Sequence, residues 1–144
     1  MFKSWLCYLA LCVLPLCAAA ADPDEVSATD AKAVRALVEK QLGALAQGRP
    51  AEAFLYASPS IQAQFNDATA FADMVERSYP MLIRPASIGF FKPAAHEGEV
   101  FQAVHFRDRD GHLWRAVYEL QRQPDRSWRI NGCAVAPDDE ASTT

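Results

Sequence analysis

The chain has 144 residues, and its 14 lysines and arginines stand against 18 aspartates and glutamates, a formal net charge of −4. This length suits a single domain that can bury a sizeable core. The acidic balance argues against a nucleic-acid or anionic-membrane partner, because the sequence has no basic stripe to displace counterions from phosphates. It also contains no glycine-rich phosphate loop and no G-x-S-x-G element, so nucleotide binding and hydrolase chemistry of that type receive no support.

Residues 1–21 have the features of an export signal. Lys3 supplies the positive start, Trp5–Cys17 is an uncharged apolar run of 13 residues, and four alanines follow as cleavage candidates. The run is too short for a membrane span, which needs about 20 apolar residues. An uncleaved anchor and a lipid anchor at Cys17 are the alternatives, and the bulky Leu16 argues against the second. We therefore expect an exported protein, periplasmic or secreted, with no membrane span after cleavage.

Removal of this signal would leave a single cysteine. Cys7, Cys12 and Cys17 lie within it, and Cys133 remains. An intramolecular disulfide is then impossible, so packing alone must hold the core. Among the charged residues only Lys3 would be lost, which leaves 13 basic against 18 acidic residues and a net charge of −5.

A helical region follows a short polar lead at residues 22–28. The apolar spacing from Thr29 predicts an amphipathic helix, with Ser27 or Thr29 as its N-cap and Gly48 as its C-terminal cap. Its apolar stripe consists of Val34, Leu37, Val38, Leu42 and Leu45.

Three shorter helices are expected next. Pro50 opens one that runs through Tyr56, because proline is tolerated in the first helical turn. Ser58-Pro59 repeats this arrangement with a serine cap. Asn66 or Asp67 caps a further helix, which Pro80 ends because the residue before a proline is pushed out of the helical region.

Beyond Met81 the pattern changes to extended structure. Leu82-Ile83 and Ile88–Phe91 are short candidates, and the stretch from 98 to 135 reads as three antiparallel strands joined at Asp110-Gly111 and Pro124-Asp125. Residues 137–144 are expected to be a disordered acidic tail, so the folded domain is placed at 29–136.

The two turn signals predict a register for these strands. If Asp110-Gly111 is a two-residue hairpin loop, then Arg107 lies opposite Trp114 and His105 opposite Ala116. If 124–126 forms a type I turn followed by a left-handed bulge residue, then Trp128 lies beside Arg122 and Gly132 beside Tyr118.

This register sorts the side chains onto two faces, since a one-residue slip would exchange them. The face expected beneath the helices holds Phe101, Ala103, His105, Trp114, Ala116, Tyr118, Leu120, Trp128, Ile130, Gly132 and Ala134. The expected outer face holds Gln102, Val104, Phe106, Arg115, Val117, Glu119, Arg129, Asn131 and Cys133. Small residues among large aromatics on the first face admit either a close-packed helix or a void that a ligand fills.

Helices followed by a curved antiparallel sheet resemble the cone-shaped α+β fold of nuclear transport factor 2-like (NTF2-like, cystatin-like) proteins. More specifically, FLYASPSIQAQF (54–65) and AVYELQRQPDRSWRINGCAV (116–135) resemble an uncharacterised bacterial family, domain of unknown function 4864. Tyr79-Pro80 and Arg84-Pro85 add to this resemblance. It implies N-terminal helices packed on a curved antiparallel sheet, and it leaves function open, because the family brings no established activity.

A candidate pocket lies between the helices and the inner face. Its proposed ligand-binding residues are Tyr56, Tyr79, Arg84, His105, Trp114 and Tyr118. His105 could act as a general base there, although a half-buried histidine bonded to a backbone carbonyl is the commoner situation. No aspartate or glutamate falls on the expected inner face between 99 and 135, which argues against the carboxylate-dependent chemistry of related isomerases.

Other chemistry receives less support. The three histidines lack metal-ligand spacing, so neither a metal nor a cofactor is predicted. Arg84 and Arg107 could hold an anionic ligand, and Cys133, expected on the outer face, lacks a histidine partner for nucleophilic catalysis.

The favoured function is a non-catalytic module that binds a small apolar or aromatic ligand. A protein–protein interaction or homodimerisation module using the outer face is the alternative. An isomerase- or hydrolase-like enzyme that uses the pocket is the further alternative.

Overall fold

The computed structural model describes residue 22 and residues 24–139. The predicted export signal at 1–21 and the end of the predicted tail at 140–144 therefore lie outside the described residues. Within the described part of the chain, no helix combines the length and apolarity that a membrane span requires.

The helices form where their caps predict them. Helix α1 spans Ala28–Ala46, α2 Pro50–Leu55, α3 Pro59–Gln62 and α4 Ala68–Ser78. The oxygens of Ser27, Ser58 and Asp67 accept hydrogen bonds from backbone N–H groups in the first turns of α1, α3 and α4, at 3.1, 3.2 and 2.8 Å. These bonds satisfy donors that a helix start otherwise leaves without partners.

One extended segment was predicted wrongly. Pro80–Leu82 forms a 3-10 turn directly after α4, although Leu82-Ile83 was expected to be extended. The N–H of Ile83 donates to the carbonyl of Pro80 at 3.1 Å, so the turn closes on the proline that ends α4.

The rest of the chain forms one antiparallel sheet. Its strands are β1 Ser87–Phe90, β2 Ala94–His96, β3 Glu99–Arg107, β4 Leu113–Arg122 and β5 Trp128–Pro137. Strands β1 and β2 pair with successive parts of β3, and β4 and β5 follow in order. The predicted α+β class with N-terminal helices on a curved sheet is confirmed, and β2 is an addition to it.

The predicted register of β3 against β4 was wrong by one residue. His105 lies opposite Arg115, and Phe106 opposite Trp114. The cause is a three-residue loop, in which the N–H of Gly111 donates to the carbonyl of Asp108 at 3.1 Å and Gly111 takes the left-handed conformation with φ 89°. This is a type I turn completed by a bulge residue, and the two-residue loop that Asp110-Gly111 suggests does not form.

The slip reverses the faces of β3. Val104 and Phe106 are buried beneath the helices, whereas His105 is exposed on the outer face. The inward placement predicted for Trp114 and Tyr118 on β4 is correct. Burying Phe106 in place of His105 removes more apolar surface from water, which explains why this register is preferred.

The second hairpin follows the prediction from its turn as far as Ile130, and Trp128 lies opposite Arg122 as expected. Arg126 has the expected left-handed φ of 70°, and Ile130 pairs with Leu120. A bulge then inserts one extra residue into β5, so that Tyr118 lies opposite Cys133 and not Gly132. Cys133 therefore turns inward and packs against the core, which corrects its predicted outer position.

The first turn of α1 is tied to this hairpin through Asp30. Its carboxylate accepts hydrogen bonds from the Ser27 hydroxyl at 2.9 Å, from the Trp128 indole N–H at 3.3 Å and from Arg122. Burial alone would raise the pKa of Asp30, but these hydrogen bonds and the charge of Arg122 outweigh it and lower the pKa.

The folded domain extends beyond its predicted end at residue 136. Asp138 is buried; its N–H donates to the carbonyl of Leu113 at 2.9 Å, and its carboxylate pairs with Arg115 at 3.1 Å. The start of the predicted tail is thus fixed against β4.

Candidate ligand-binding site

The helices and the sheet line a cavity of about 260 Å³ that opens to solvent, which we call the inner cavity. Helices α1, α3 and α4 form its roof, and β4 and β5 form its floor. Gly132, next to the bulge in β5, is part of this floor.

The wall of the inner cavity is largely apolar. Phe65 and Phe71 contact each other edge to face, with ring centroids 5.5 Å apart. Aliphatic and thioether side chains complete the wall: Leu45, Ile61, Met74, Val75, Leu82 and Ile130. None of the described residues that line the cavity is charged, so it favours an uncharged occupant.

One end of the inner cavity carries a polar pair. Tyr118 is 2% exposed, and its hydroxyl lies close to the sulfur of Cys133. Burial raises the pKa of Cys133 to about 12, although the hydrogen bond from Tyr118 acts in the opposite direction. Burial, together with the neighbouring thiol, also raises the pKa of Tyr118 well above its usual value. Both groups are therefore neutral at physiological pH, which disfavours Cys133 as a nucleophile.

The sulfur of Cys133 is a poor hydrogen-bond acceptor for the Tyr118 hydroxyl. A thiol sulfur is a weak acceptor, whereas a phenolic O–H is a strong donor. A ligand carbonyl or ether oxygen that reached this end of the cavity would give the hydroxyl a better acceptor. The geometry therefore favours a mostly apolar molecule that carries one acceptor oxygen.

The lining also contains the amide of Gln41 and the side chain of Tyr79. The buried Gln41 donates its amide N–H to the carbonyl of Ala53 at 3.2 Å, and this hydrogen bond joins α1 to α2. Tyr79, at the C-terminal cap of α4, lines the cavity.

The predicted candidate residues do not form one site. Tyr79 and Tyr118 line the inner cavity. Arg84 and Trp114 line a separate cleft of about 240 Å³ beside the β3–β4 hairpin, which we call the rim cleft. Tyr56 lines neither and donates its hydroxyl to Glu52 at 3.1 Å.

His105 was misplaced by the register error and lies outside both sites. Its ring stands on the outer face against Phe91, with ring centroids 5.1 Å apart. It also covers Gly89 so closely that a Cβ there would lie 2.0 Å from its Nε2 atom. His105 is therefore not positioned to act as a general base in the inner cavity.

Arg84 holds an unusual backbone conformation at the rim cleft. Its φ is 51°, and Pro85 follows it, although both a non-glycine side chain and a following proline disfavour that region. Strain of this kind costs about 1–3 kcal/mol per residue. The Nε of Arg109 donates to the carbonyl of Arg84 at 3.3 Å and helps to hold the conformation.

The hairpin beside the cleft orients Trp114. The indole N–H donates to Asp108 at 2.9 Å, and this bond contributes most to the lowered pKa of Asp108. Asp108, Asp110 and His112 bring possible metal-ligating atoms within 4.8 Å of one another. The Asp108 oxygens already accept from the backbone N–H groups of Asp110 and His112, so a metal would have to compete with these bonds.

Sequence reasoning missed the inward position of Cys133 and the role of Arg109. A glycine inside a strand often marks a bulge, and Asn131-Gly132 was the signal that pointed to one. Nothing local in the sequence indicates that Arg109 reaches back to Arg84, because 25 positions separate them.

The outer face of the sheet carries polar and apolar groups. Asn131 donates to Glu119 at 2.7 Å, and both residues were expected on this face. Val117 and Phe91 are 37% and 42% exposed on this face, and Arg115 stacks over the ring of Phe91.

Comparison with known proteins agrees with the fold. The structure is similar to the crystal structure of an NTF-2 like protein of unknown function from Silicibacter pomeroyi DSS-3, with a TM-score of 0.54 and 17% sequence identity. The match covers 78% of this chain and 99% of that protein. A family model described as "Domain of unknown function (DUF4864)" matches residues 27–143. None of the curated proteins matches the sequence.

Proposed function

The chain belongs to the DUF4864 family, and we propose that it is a non-catalytic protein that binds a small apolar or aromatic molecule in the inner cavity. The observation that carries this proposal is an uncharged, largely apolar lining with the Tyr118 hydroxyl at one end. An apolar cavity of about 150 Å³ accommodates benzene, so the larger inner cavity suits a ligand of roughly ten non-hydrogen atoms.

The lining also supports binding over catalysis. It offers no carboxylate and no histidine among the described residues, so a general base for proton abstraction has no candidate there. An isomerase- or hydrolase-like activity would have to use the un-ionised thiol of Cys133 or the phenol of Tyr118.

Binding can be tested with two probes of equal size, acetophenone and α-methylstyrene, which differ by a carbonyl oxygen in place of a methylene group. Both should bind, as followed by NMR chemical-shift changes of the cavity methyl groups. Acetophenone should bind more tightly because its oxygen can accept from Tyr118. Tyr118→Phe should remove that advantage, about two- to tenfold in Kd for one neutral hydrogen bond.

A variant that fills part of the inner cavity provides the matching control. Ile61 is only partly buried, so Ile61→Trp can close the cavity without overpacking it. Leu55→Trp places the same side chain on an exposed position of α2 that does not line the cavity. Loss of binding in the first variant alone supports the proposal, whereas unchanged binding in both, or no binding to the original protein, refutes it.

The outer face supports a second candidate function, self-association. Exposed Val117 and Phe91 lie on a sheet face that no described element covers. Sedimentation velocity over a range of concentrations tests this candidate, with Val117→Asp expected to dissociate a dimer. A monomer at high concentration would eliminate it.

Export is also part of the proposal. The charged start, apolar run and alanines of residues 1–21 support it. Mass spectrometry of the protein from the periplasmic and extracellular fractions should find a new N-terminus near residue 22. A full-length chain confined to the cytoplasm would refute export.

A further inference from the structure

The rim cleft shares no lining residue with the inner cavity, and the segment 79–84 separates the two. We propose that the rim cleft is a second binding site, for a small monocarboxylate with an apolar body. Arg84 and Arg109 would hold the carboxylate, and Ile83 and Trp114 would contact the body. This site stands independently of ligand binding in the inner cavity.

The two arginines supply unused hydrogen-bond donors. Among the described residues, the guanidinium of Arg84 has no hydrogen-bond or ion-pair partner. Arg109 uses its Nε for the carbonyl of Arg84, and its terminal nitrogens make no bond within the described chain. A guanidinium presents its N–H groups as a planar fork that fits the two oxygens of a carboxylate.

The backbone of Arg84 points to the same function. Glycine would adopt its positive φ without strain, so the strain accompanies the arginine side chain. Residues held in disfavoured conformations cluster at ligand-contacting positions, where the surrounding structure fixes them. Here the hydrogen bond from Arg109 holds the backbone carbonyl of Arg84, and both side chains line the cleft.

The acidic residues of the cleft set the charge that it accepts. The oxygens of Asp108 are turned toward Trp114 and the backbone N–H groups of the hairpin. The carboxylate of Asp110 is exposed and offsets one of the two arginine charges. The ionised carboxylate of Asp108 offsets the other, so the formal charges of the cleft balance, and a single carboxylate held by the guanidinium N–H groups suits it better than a dianion.

Benzoate and the neutral isostere benzamide test this site. The indole N–H of Trp114 gives a resolved NMR signal at the cleft, and Trp128, which is hydrogen-bonded to Asp30 at the other hairpin, provides an internal control. Benzoate should shift the Trp114 signal, leave Trp128 unchanged and bind at least about fivefold more tightly than benzamide. Equal affinities, or tighter binding of benzylamine, would overturn the proposal.

Charge variants locate the interaction. Arg84→Gln should weaken benzoate binding about three- to fivefold, as expected for one partly exposed ion pair. Asp110→Asn should strengthen it. Arg126, the arginine with positive φ in the other hairpin, gives the control, because Arg126→Gln changes net charge equally and should leave affinity unaltered. Equal losses in both arginine variants would show a nonspecific charge effect and refute the site.

Glycine variants test the strain separately. Arg84→Gly and Arg126→Gly should each raise Tm by about 2–5 °C, because glycine relieves the positive φ. Only Arg84→Gly should weaken benzoate binding. If Arg84→Gly remained folded but had a lower Tm than the original protein, Arg84 would not be strained, and the proposal would lose that support.

Discussion

Adding one methylene group inside the inner cavity should stabilise the protein while impairing ligand binding. Val75 on α4 lines the cavity and is 5% exposed, so Val75→Ile would place the added carbon in the void. Burial of a methylene contributes about 0.8 kcal/mol. We therefore expect the free energy of unfolding to rise by roughly that amount, and Tm by about 3 °C for a domain of this size.

The same carbon should compete with the ligand. One methylene in an apolar pocket changes affinity by about 1–3 kcal/mol when the ligand fills the space, so acetophenone should bind at least about fivefold more weakly. Urea denaturation measures the stability, and NMR titration measures the affinity.

Val38 on α1 provides the matched control. It is 0% exposed and lines neither the inner cavity nor the rim cleft. Val38→Ile therefore adds its carbon to a filled core and should destabilise the protein by about 1–3 kcal/mol. Equal destabilisation in the two variants would refute our reasoning, because it would show that the space next to Val75 is not available.

Three other side chains give expected outcomes. Asp30→Asn should reduce stability by about 1 kcal/mol at pH 7. Because the pKa of Asp30 is lowered on folding, its stabilisation is fully present above the usual value of 3.8 and is lost as pH falls below it. Urea denaturation should therefore show the stabilities of the variant and the original protein converging as pH falls below 3.8. Because burial raises the pKa of Cys133 to about 12, this thiol should react with iodoacetamide at pH 8 roughly a thousandfold more slowly than a free thiol. Mass spectrometry can follow the alkylation. Ser58→Ala should reduce the free energy of unfolding by about 1–2 kcal/mol, because the Ser58 hydroxyl caps α3 and donates to Asn131 at 2.7 Å. Urea denaturation measures this loss. Ser60 is exposed, and Ser60→Ala should have little effect.

Each of these outcomes has a clear opposite. A pH-independent difference for Asp30→Asn would mean that the Arg122 and Trp128 contacts do not form in solution. Rapid alkylation of Cys133 in the folded protein would place it on the outer face. Equal effects at Ser58 and Ser60 would remove the cap.

The helices were predictable because their signals are local. Ser27, Ser58 and Asp67 each precede a helix and cap it within three residues, and Pro80 ends the last one. Such contacts depend on the neighbouring sequence and very little on the rest of the fold.

The register of β3 was not predictable from its turn alone. Asp110-Gly111 fits both a two-residue loop and a three-residue loop with Gly111 in the left-handed position, and the local sequence does not separate them. The choice depends on burial, since the observed loop puts Phe106 and Val104 in the core and His105 in solvent. The helices that cover Phe106 and Val104 are distant from this turn in the sequence.

The candidate site was predicted in part for the same reason. Tyr118 was placed correctly because the hydrophobic alternation of β4 fixes its face, and Tyr79 because α4 ends at it. Cys133 was misplaced because a bulge shifts every later residue of a strand to the opposite face.

Intermolecular NOEs between bound acetophenone and methyl-labelled isoleucine test the central claim most directly. The account predicts NOEs from the ligand to the methyl groups of Ile61 and Ile130, which line the inner cavity. NOEs confined to the exposed Ile88, or the absence of NOEs at a saturating ligand concentration, would contradict it.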